Sequence, residues 1–398
     1  MNLFCPVNTA EVAEIISETV AEQRPLEIIG GGTKRALGNV ERPGNRLKTI
    51  GLTGVIDYDP AELVLTARAG TPMWEIEDLL EANRQMLAFE PPSWQSLLGS
   101  DGEATLGGVL ACNLSGPRRV RSGAARDHLL GFSAVNGRGE IWRAGGKVVK
   151  NVTGYDMCKL LTGSYGTLSV LTEVSIRVLP RPETSASIIV PANTTGDAVR
   201  IMTEALNSEH EVSAAAFIPT NSSSAKKTGE VVIRIEGHAP SVEFRAAALR
   251  QLFARTDRLP EVASERLWCE IAAVEPMLGN EMDFIWKISC PASAASGLLH
   301  SIQDAIPDPR ILLDWGGGLI WLAASRFQTD VVTATSAIRS AVDGVGGHVT
   351  LIRAPNDVRN LVAPFHPQSP ALAALSERVK TAFDPHRVLN PGRMYEGV

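Results

Sequence analysis

Glycine-containing turns with small hydroxyl residues beside them are the part of this sequence that could do chemistry. Residues 30–34 (Gly-Gly-Gly-Thr-Lys) follow a short apolar segment that reads as a strand. Two further turns, at 105–108 and 163–167, lie between apolar segments. Such turns let a ligand approach the main chain and can aim bare N–H groups at a phosphate. One such turn is most often only a tight turn, but several together predict a site for a large, phosphate-bearing cofactor.

The spacing of the glycines excludes two common nucleotide sites. Residues 30–34 do not form a GxGxxG fingerprint, and the sequence contains no GxxxxGK[ST] loop. These two motifs mark Rossmann dinucleotide sites and P-loop NTPases, respectively. The sequence therefore disfavours both classes.

The turns belong to a longer ordered series of motifs. Between them lie Asn-Leu-Ser-Gly at 113–116, Arg-Asp-His-Leu-Leu-Gly at 126–131 and Lys-Asn-Val-Thr-Gly-Tyr-Asp at 150–156, and Asn-Pro-Gly-Arg follows at 390–393. In this order they resemble the FAD-binding domain of the vanillyl-alcohol-oxidase/PCMH flavoprotein family. The resemblance covers nearly the whole chain. Within the family, the sequence is similar to the FAD-binding subunits of heteromeric 2-hydroxy-acid dehydrogenases of the glycolate oxidase type.

This resemblance implies FAD as the cofactor. Residues 30–33 contain no histidine or cysteine of the kind that links FAD covalently in some relatives, so we expect non-covalent binding. Lys150 and Arg393 are candidates for a positive group near the pyrimidine end of the flavin. The implied cofactor-binding residues are Gly30, Gly31, Gly32, Thr33, Lys34, Thr105, Gly107, Gly108, Asn113, Gly116, Lys150, Gly154, Tyr155, Asp156, Gly163, Ser164, Gly166, Thr167, Asn390 and Arg393.

The resemblance also implies a reaction and partners. The complex would oxidise glycolate, a small 2-hydroxy acid, to glyoxylate, with a larger flavoprotein subunit and an iron–sulfur subunit beside this chain. Two alternatives stay open. One is a self-sufficient FAD-dependent oxidoreductase acting on another alcohol or hydroxy acid, and the other is a non-catalytic scaffold that keeps the FAD fold for assembly.

The sequence defines the residues that would contact the substrate less well, and no catalytic residue is predicted. Oxidation of a 2-hydroxy acid needs a base for the hydroxyl proton and a cation for the carboxylate. Catalytic relatives carry a His-Gly-His-type metal and base motif in the cap domain, whereas residues 314–322 here contain no histidine. Four arginines at 118–126 favour equally a solvated surface and a site for an anion or an acidic partner.

The pattern of helices and strands predicts an α+β protein. We expect a PCMH-type two-part FAD-binding domain at residues 1–180. A cap domain at 181–348 would follow, with an antiparallel sheet covered by helices. Residues 349–398 would return to the FAD-binding domain.

Composition and net charge indicate the classes of partner and the cellular compartment. The chain has 398 residues and a net charge of −6, which argues against nucleic acid as a partner. We find neither an apolar run that predicts a transmembrane segment nor a secretory signal. Five scattered cysteines without a CxxC pair suit a reducing compartment and predict no metal site. We expect a cytoplasmic protein, with attachment to the inner membrane through partners left open.

Overall fold

The computed structural model describes residues 2–39, 44–146, 154–220 and 228–398. Asn8, with Glu11 three residues later, predicts a helix N-cap from the sequence, and the first helix begins there. Asn8 Oδ1 accepts the N–H of Glu11 at 2.9 Å, and the Asn8 amide donates to the Glu11 carboxylate. This reciprocal pairing satisfies N–H groups that the first helical turn leaves free. The elements up to residue 180, in chain order, are β1 (Leu3–Phe4), α1 (Thr9–Glu22), β2 (Leu26–Ile29), β3 (Asn45–Lys48), β4 (Val55–Asp59), β5 (Val64–Arg68), α2 (Met73–Ala82), β6 (Gln85–Met86), α3 (Gln95–Leu98), α4 (Leu106–Ala111), α5 (Arg119–Ser122), α6 (Ala125–His128), β7 (Leu129–Asn136), β8 (Ile141–Gly145), α7 (Met157–Leu161), β9 (Ser169–Arg177) and β10 (Leu179–Pro180).

These elements build two main sheets. The first is parallel, in the order β1-β3-β2, and the second is antiparallel, in the order β4-β5-β9-β7-β8. The sequence predicts a hairpin of residues 129–135 and 140–143 around the turn at 136–139, and the pairing of β7 with β8 confirms it. Asn136 forms its turn, because its side-chain oxygen accepts the N–H groups of Arg138 and Glu140. Strand β10 pairs separately with β6.

The second part of the chain forms one antiparallel sheet of eight strands. Its order is β14-β11-β13-β12-β16-β17-β15-β18. The α+β prediction is therefore confirmed. The elements of this part and of the C-terminal segment are β11 (Thr184–Ala192), α8 (Thr195–Leu206), β12 (Ala214–Pro219), β13 (Gly229–Gly237), α9 (Ala239–Leu252), β14 (Asp257–Leu259), α10 (Glu261–Ala272), β15 (Phe284–Ser289), α11 (Ala295–Ser301), β16 (Arg310–Asp314), β17 (Leu319–Ala324), α12 (Val331–Asp343), β18 (His348–Arg353), α13 (Asn356–Arg359) and α14 (Pro370–Phe383).

The eight-stranded sheet has two buried faces because side chains alternate along each strand. Trp286 and Ile288 of β15 pack with residues of the covering helices α8, α11 and α12. Ile285 of the same strand and Trp321 of β17 belong instead to the core that contains the first part of the chain. One face thus carries the helices, and the other meets the N-terminal unit.

The predicted division at residues 348 and 349 falls inside strand β18. This strand spans His348–Arg353 and pairs with β15, so the sheet continues for several residues past the predicted boundary. The other predicted division, at residue 180, falls between β10 and β11. In the described ranges, no helix is both long and apolar enough to cross a membrane.

The C-terminal segment returns to the first sheet after helix α14. The Leu26 N–H donates to the Val388 carbonyl oxygen at 2.7 Å, and the Asn390 N–H donates to the Leu26 carbonyl oxygen at 3.0 Å. Val388 and Leu389 share a core with Leu26. Residues 388–390 therefore extend the edge of strand β2.

A fully buried lysine fixes this return. Lys380 Nζ donates to the Asp384 carboxylate at 2.8 Å, to the Thr167 carbonyl oxygen at 2.7 Å and to the Leu389 carbonyl oxygen at 2.8 Å. Asp384 in turn accepts the N–H groups of Val388 and Leu389. A buried charge is tolerated only when its hydrogen bonds are satisfied, and here all three ammonium protons find an acceptor.

We expect Lys380→Met to destabilise the protein strongly. The change leaves Asp384 charged, buried and without a cation, and such losses cost about 3–5 kcal/mol. Urea denaturation measures the free energy of unfolding. Lys159→Met is the matched control, because Lys159 and its partner Asp156 are both more than half exposed and exposed pairs contribute about 0–1 kcal/mol. Equal losses in the two variants would contradict the role given to Lys380.

Candidate functional site

The backbone of the glycine loop at residues 30–33 packs directly against the backbone of a second segment. It follows β2 directly, and Gly32 has a φ of +88°. A Cβ at Gly31 would lie 1.6 Å from the Glu103 carbonyl oxygen, so no side chain fits there. Within the part of the chain that the structure describes, the N–H groups of Gly31, Gly32 and Thr33 donate no hydrogen bond. The loop thus keeps free donors, which is what a phosphate needs.

The turn before helix α4 packs against this loop. Thr105 caps α4, and its hydroxyl accepts the N–H of Gly108 at 3.3 Å. A Cβ at Gly30 would lie 2.4 Å from that same hydroxyl oxygen, and one at Gly107 would lie 2.8 Å from the Ala69 carbonyl oxygen. These glycines let three segments approach more closely than any side chain would allow.

The loop at residues 163–167 forms another wall. Tyr165 and Gly166 have φ angles of 54° and 70°, and the Tyr165 N–H donates to the Ala111 carbonyl oxygen at 2.9 Å. The Thr167 hydroxyl turns back onto the Ser164 carbonyl oxygen at 2.8 Å. Ser164, Tyr165 and Gly166 therefore face the cavity, whereas Thr167 lies buried behind them.

The C-terminal segment completes the enclosure. Asn390 accepts the Ile28 N–H at 2.8 Å and donates to the Tyr165 carbonyl oxygen at 2.8 Å. It thereby ties the end of β2 to the loop at 163–167. Arg393 donates to the Lys34 carbonyl oxygen at 2.8 Å and lines the cavity.

Together these segments line one open cavity. Lys34 and Arg393 give it positive charge on one side. Lys34 Nζ donates to the Thr33 hydroxyl at 2.9 Å, and burial lowers the pKa of this lysine. A cavity with free N–H donors, two cations and apolar walls such as Val170 and Leu171 has the chemistry to hold a cofactor that carries phosphate.

Most of the predicted cofactor residues meet at this cavity. Those that line it are Gly30, Gly31, Gly32, Thr33, Lys34, Thr105, Gly107, Gly108, Ser164, Gly166 and Arg393. These residues come together from four segments that lie far apart in the sequence.

The other predicted residues that the structure describes do not line it. Four of them lie behind the residues that line the cavity, namely Asn113, Gly163, Thr167 and Asn390. Asn113, for example, accepts the Arg126 N–H, and Gly163 donates its own N–H to Leu110. Gly116 lies at the contact with the eight-stranded sheet, where its carbonyl oxygen accepts the Trp315 indole N–H at 3.1 Å.

The segment around Gly154 lies apart from the cavity. Tyr155 is 92% exposed, and Asp156 caps helix α7 by accepting the Lys159 N–H. Lys150 lies outside the described residues. A contact of these residues with the cofactor stays a prediction.

Some lining residues were not predicted. Tyr165 lies within a predicted motif, but its inward orientation depends on its unusual φ. Cys112 and Thr49 also face the cavity. Burial raises the pKa of the Cys112 thiol, although the Lys34 and Arg393 charges oppose the shift. The sequence signal that could have identified Cys112 as a lining residue was its position directly before the motif at residues 113–116.

A largely buried ionic network joins the N-terminal unit to the eight-stranded sheet. Arg234 of β13 donates to the Glu90 carboxylate at 2.8 and 2.9 Å, and Arg118 donates to Glu236. Burial would raise the pKa of Glu236, but the Arg234 and Arg118 guanidinium groups outweigh it and hold the pKa at about 2. The Arg234 guanidinium also lies 4.6 Å from the Trp268 ring centre.

The arginines at residues 118–126 therefore make different kinds of contact. Arg118 is largely buried in the network, and Arg119 lies 4.4 Å from the Trp315 ring centre. Arg121 makes an exposed pair with Glu211. Among the described residues, no group of three or more His, Cys, Asp or Glu side chains could hold a metal ion.

Comparison with known proteins agrees with this geometry. Residues 2–145 match the family model for an FAD binding domain. The chain is 35% identical to glycolate oxidase subunit GlcE of Escherichia coli (strain K12) over 385 residues, which cover 96% of each chain. It is 23% identical to D-2-hydroxyglutarate dehydrogenase of Xanthomonas citri pv. viticola, over 98% of this chain and 88% of the relative.

The fold has solved counterparts at lower identity. The structure of 4-ethylphenol oxidase from Gulosibacter chungangensis in complex with isoeugenol superposes with a TM-score of 0.71 at 15% identity. The match covers 99% of this chain and 89% of that one. The PCMH-type architecture and the FAD cofactor are thereby confirmed. The chain belongs to the family of FAD-dependent oxidoreductases that includes glycolate oxidase subunit GlcE.

Proposed function

We propose that this chain is the FAD-binding subunit of a heteromeric dehydrogenase that oxidises glycolate to glyoxylate. Its similarity to GlcE along 96% of both sequences carries the proposal. A larger flavoprotein subunit would house the base for the substrate hydroxyl, and an iron–sulfur subunit would receive the electrons. A 30% match to glycolate oxidase subunit GlcD of Bacillus subtilis, over 47% of this chain, supports a common origin for the two flavoprotein subunits.

We propose that FAD binds in the cavity lined by these residues. The free N–H groups at residues 31–33, with Lys34 nearby, would hold the pyrophosphate. Bound FAD supplies a two-electron acceptor, which no side chain can provide. Arg393 adds a fixed positive charge at the wall, because two carbonyl oxygens orient its guanidinium. We propose non-covalent binding through the eleven predicted residues that line the cavity.

The fold supports a division of the chain around this site. We propose that residues 1–180 and the C-terminal segment form the FAD-binding domain. The cap domain would begin after Pro180 and end with β18, since this strand completes the eight-stranded sheet.

Gly31→Ala should weaken FAD binding roughly 10–100-fold, because the new Cβ must displace the Glu103 backbone and misalign the free donors. Fluorescence titration of the cofactor-free protein with FAD measures the affinity. Gly297→Ala is the control, because Gly297 lies in helix α11 with open space around it. This change should leave FAD affinity unaltered and raise stability by up to about 1 kcal/mol. Normal FAD affinity in Gly31→Ala would exclude the loop as the phosphate site.

FAD should protect Cys112 from alkylation. This thiol lines the cavity, whereas Cys5 and Cys269 are exposed elsewhere. Iodoacetamide labelling followed by peptide mass spectrometry gives the rate at each cysteine, with and without FAD. We expect slower labelling of Cys112 alone. Unchanged labelling of Cys112 at saturating FAD would place the cofactor elsewhere.

The visible spectrum of the isolated chain tests the proposed division of labour. We expect flavin bands that stay oxidised under anaerobic glycolate and bleach when the partner subunits are added. Bleaching of the chain alone would identify a self-sufficient dehydrogenase. Complete absence of flavin bands would favour a scaffold.

A further inference from the structure

A second open cavity lies between the N-terminal unit and the eight-stranded sheet. Residues of helices α2 and α10 line its walls, and residues of strands β11 and β13 line its floor. Arg181 links the two helices, because its guanidinium donates to Glu81 of α2 at 3.2 Å and to Glu265 of α10 at 3.1 Å. We call this cavity the α2–α10 groove. Among the described residues, none lines both this groove and the cofactor cavity.

The two helices bring four carboxylates to the groove. Glu77 and Glu81 lie four residues apart on α2, and Glu261 and Glu265 lie four residues apart on α10. Residues at this spacing share one face of a helix, so each pair of like charges is destabilising. Arg181 pairs with one carboxylate of each helix. Over the described ranges, Glu77 and Glu261 make no hydrogen bond or ion pair.

The floor of the groove does not compensate this charge. Glu90 and Glu236 pair there with Arg234 and Arg118, so these four side chains cancel one another. In total, six glutamates and three arginines line the groove, which gives it a net charge of −3. The groove therefore favours a ligand with positive charge.

A buried hydroxyl group without a partner also lines the groove. Ser185 of β11 is only 8% exposed, and its Oγ makes no hydrogen bond. The strand register places Ser185 directly opposite Glu236 of β13. Because neighbours across an antiparallel pair project to the same side, both side chains point towards the groove. A buried hydroxyl left without a partner costs free energy, and a ligand that accepts its proton would remove this cost.

These groups together describe an organic cation that carries carbonyl oxygens. Among the residues that the structure describes, no group of three carboxylate, imidazole or thiol side chains could hold a metal ion. Leu80, Met86 and Pro182 give the groove apolar surface between the charged groups. Arginine and lysine side chains match this combination, because they lay an aliphatic stem on apolar surface and carry the charge at its end. The carbonyl oxygens of a peptide backbone would supply the acceptor for the Ser185 hydroxyl.

We propose that the α2–α10 groove binds an extended, arginine- or lysine-bearing segment of a partner protein. Basic side chains of this segment would pair with Glu77 and Glu261, and one of its backbone carbonyl oxygens would accept the Ser185 hydroxyl proton. The complementarity of charge selects this occupant. The inference goes beyond the proposed function, because it assigns a protein-binding surface that contains no residue of the cofactor cavity.

Fluorescence anisotropy with a labelled hexa-arginine peptide tests the proposal on the FAD-loaded full chain at physiological ionic strength. We expect saturable binding of one peptide per chain. The double variant Glu77→Gln/Glu261→Gln should weaken it about three- to tenfold, because two ion pairs are lost. The matched control is Glu14→Gln/Glu18→Gln, which removes the same charge from two exposed positions four residues apart on helix α1. This control should leave the affinity within about twofold of the wild type.

A serine variant separates binding from stability. Ser185→Ala removes a hydroxyl that has no partner in the free protein, so the melting temperature should not fall. Affinity for hexa-arginine should decrease about fivefold, because one hydrogen bond to the peptide is lost. Spermine, a polyamine without a carbonyl group, should compete with the peptide, and its own affinity should be the same in Ser185→Ala and the wild type.

Several results would overturn the groove as a peptide site. These are the absence of saturable peptide binding, equal weakening by the α1 control, and a wild-type peptide affinity in Glu77→Gln/Glu261→Gln. A lower melting temperature in Ser185→Ala, or an equal loss of spermine and peptide affinity, would contradict the role given to the hydroxyl. None of these results bears on the flavin bands of the isolated chain, which test the proposed function separately.

Discussion

The Lys380 ammonium group is the contact on which the site depends most. It joins three acceptors from the loop at 163–167, from its own helix and from the returning C-terminal segment. Because water cannot replace these acceptors in the interior, the three segments have one low-energy arrangement. The direction of the chain after residue 389 then sets the positions of Asn390, which accepts the Ile28 N–H, and of the Arg393 guanidinium. Cavity shape is thus set partly by a charge that never meets the cofactor.

Short-range signals in the sequence predicted much of this structure. The glycines at 30–32 follow a predicted strand, and those at 107–108 belong to a predicted glycine turn, so both were visible as short local patterns. The cap of α1 and the hairpin turn at Asn136 have the same origin. These features could be predicted because the partner groups lie within a few residues of one another.

Contacts between distant segments could not be read from the sequence in this way. The apolar pattern of α14 points to Leu372 and Leu375, yet both are about half exposed and Lys380 is the residue that is buried. Gly116 belongs to a family motif, but its carbonyl oxygen serves the contact with Trp315. The contacts of Arg118 depend likewise on the opposing sheet. Such positions depend on the tertiary fold, which determines the partner of each polar group.

The pairing of residues 26 and 389 has a consequence for how the protein is made. Asn390 hydrogen-bonds Ile28 across 362 positions, so the walls of the cavity come from opposite ends of a long stretch of chain. During synthesis on the ribosome, the early sheet emerges without this edge. Closing so long a loop is a slow step, because its entropy must be lost before the contact forms. The cavity wall that Asn390 and Arg393 form is therefore complete only after translation has passed residue 393.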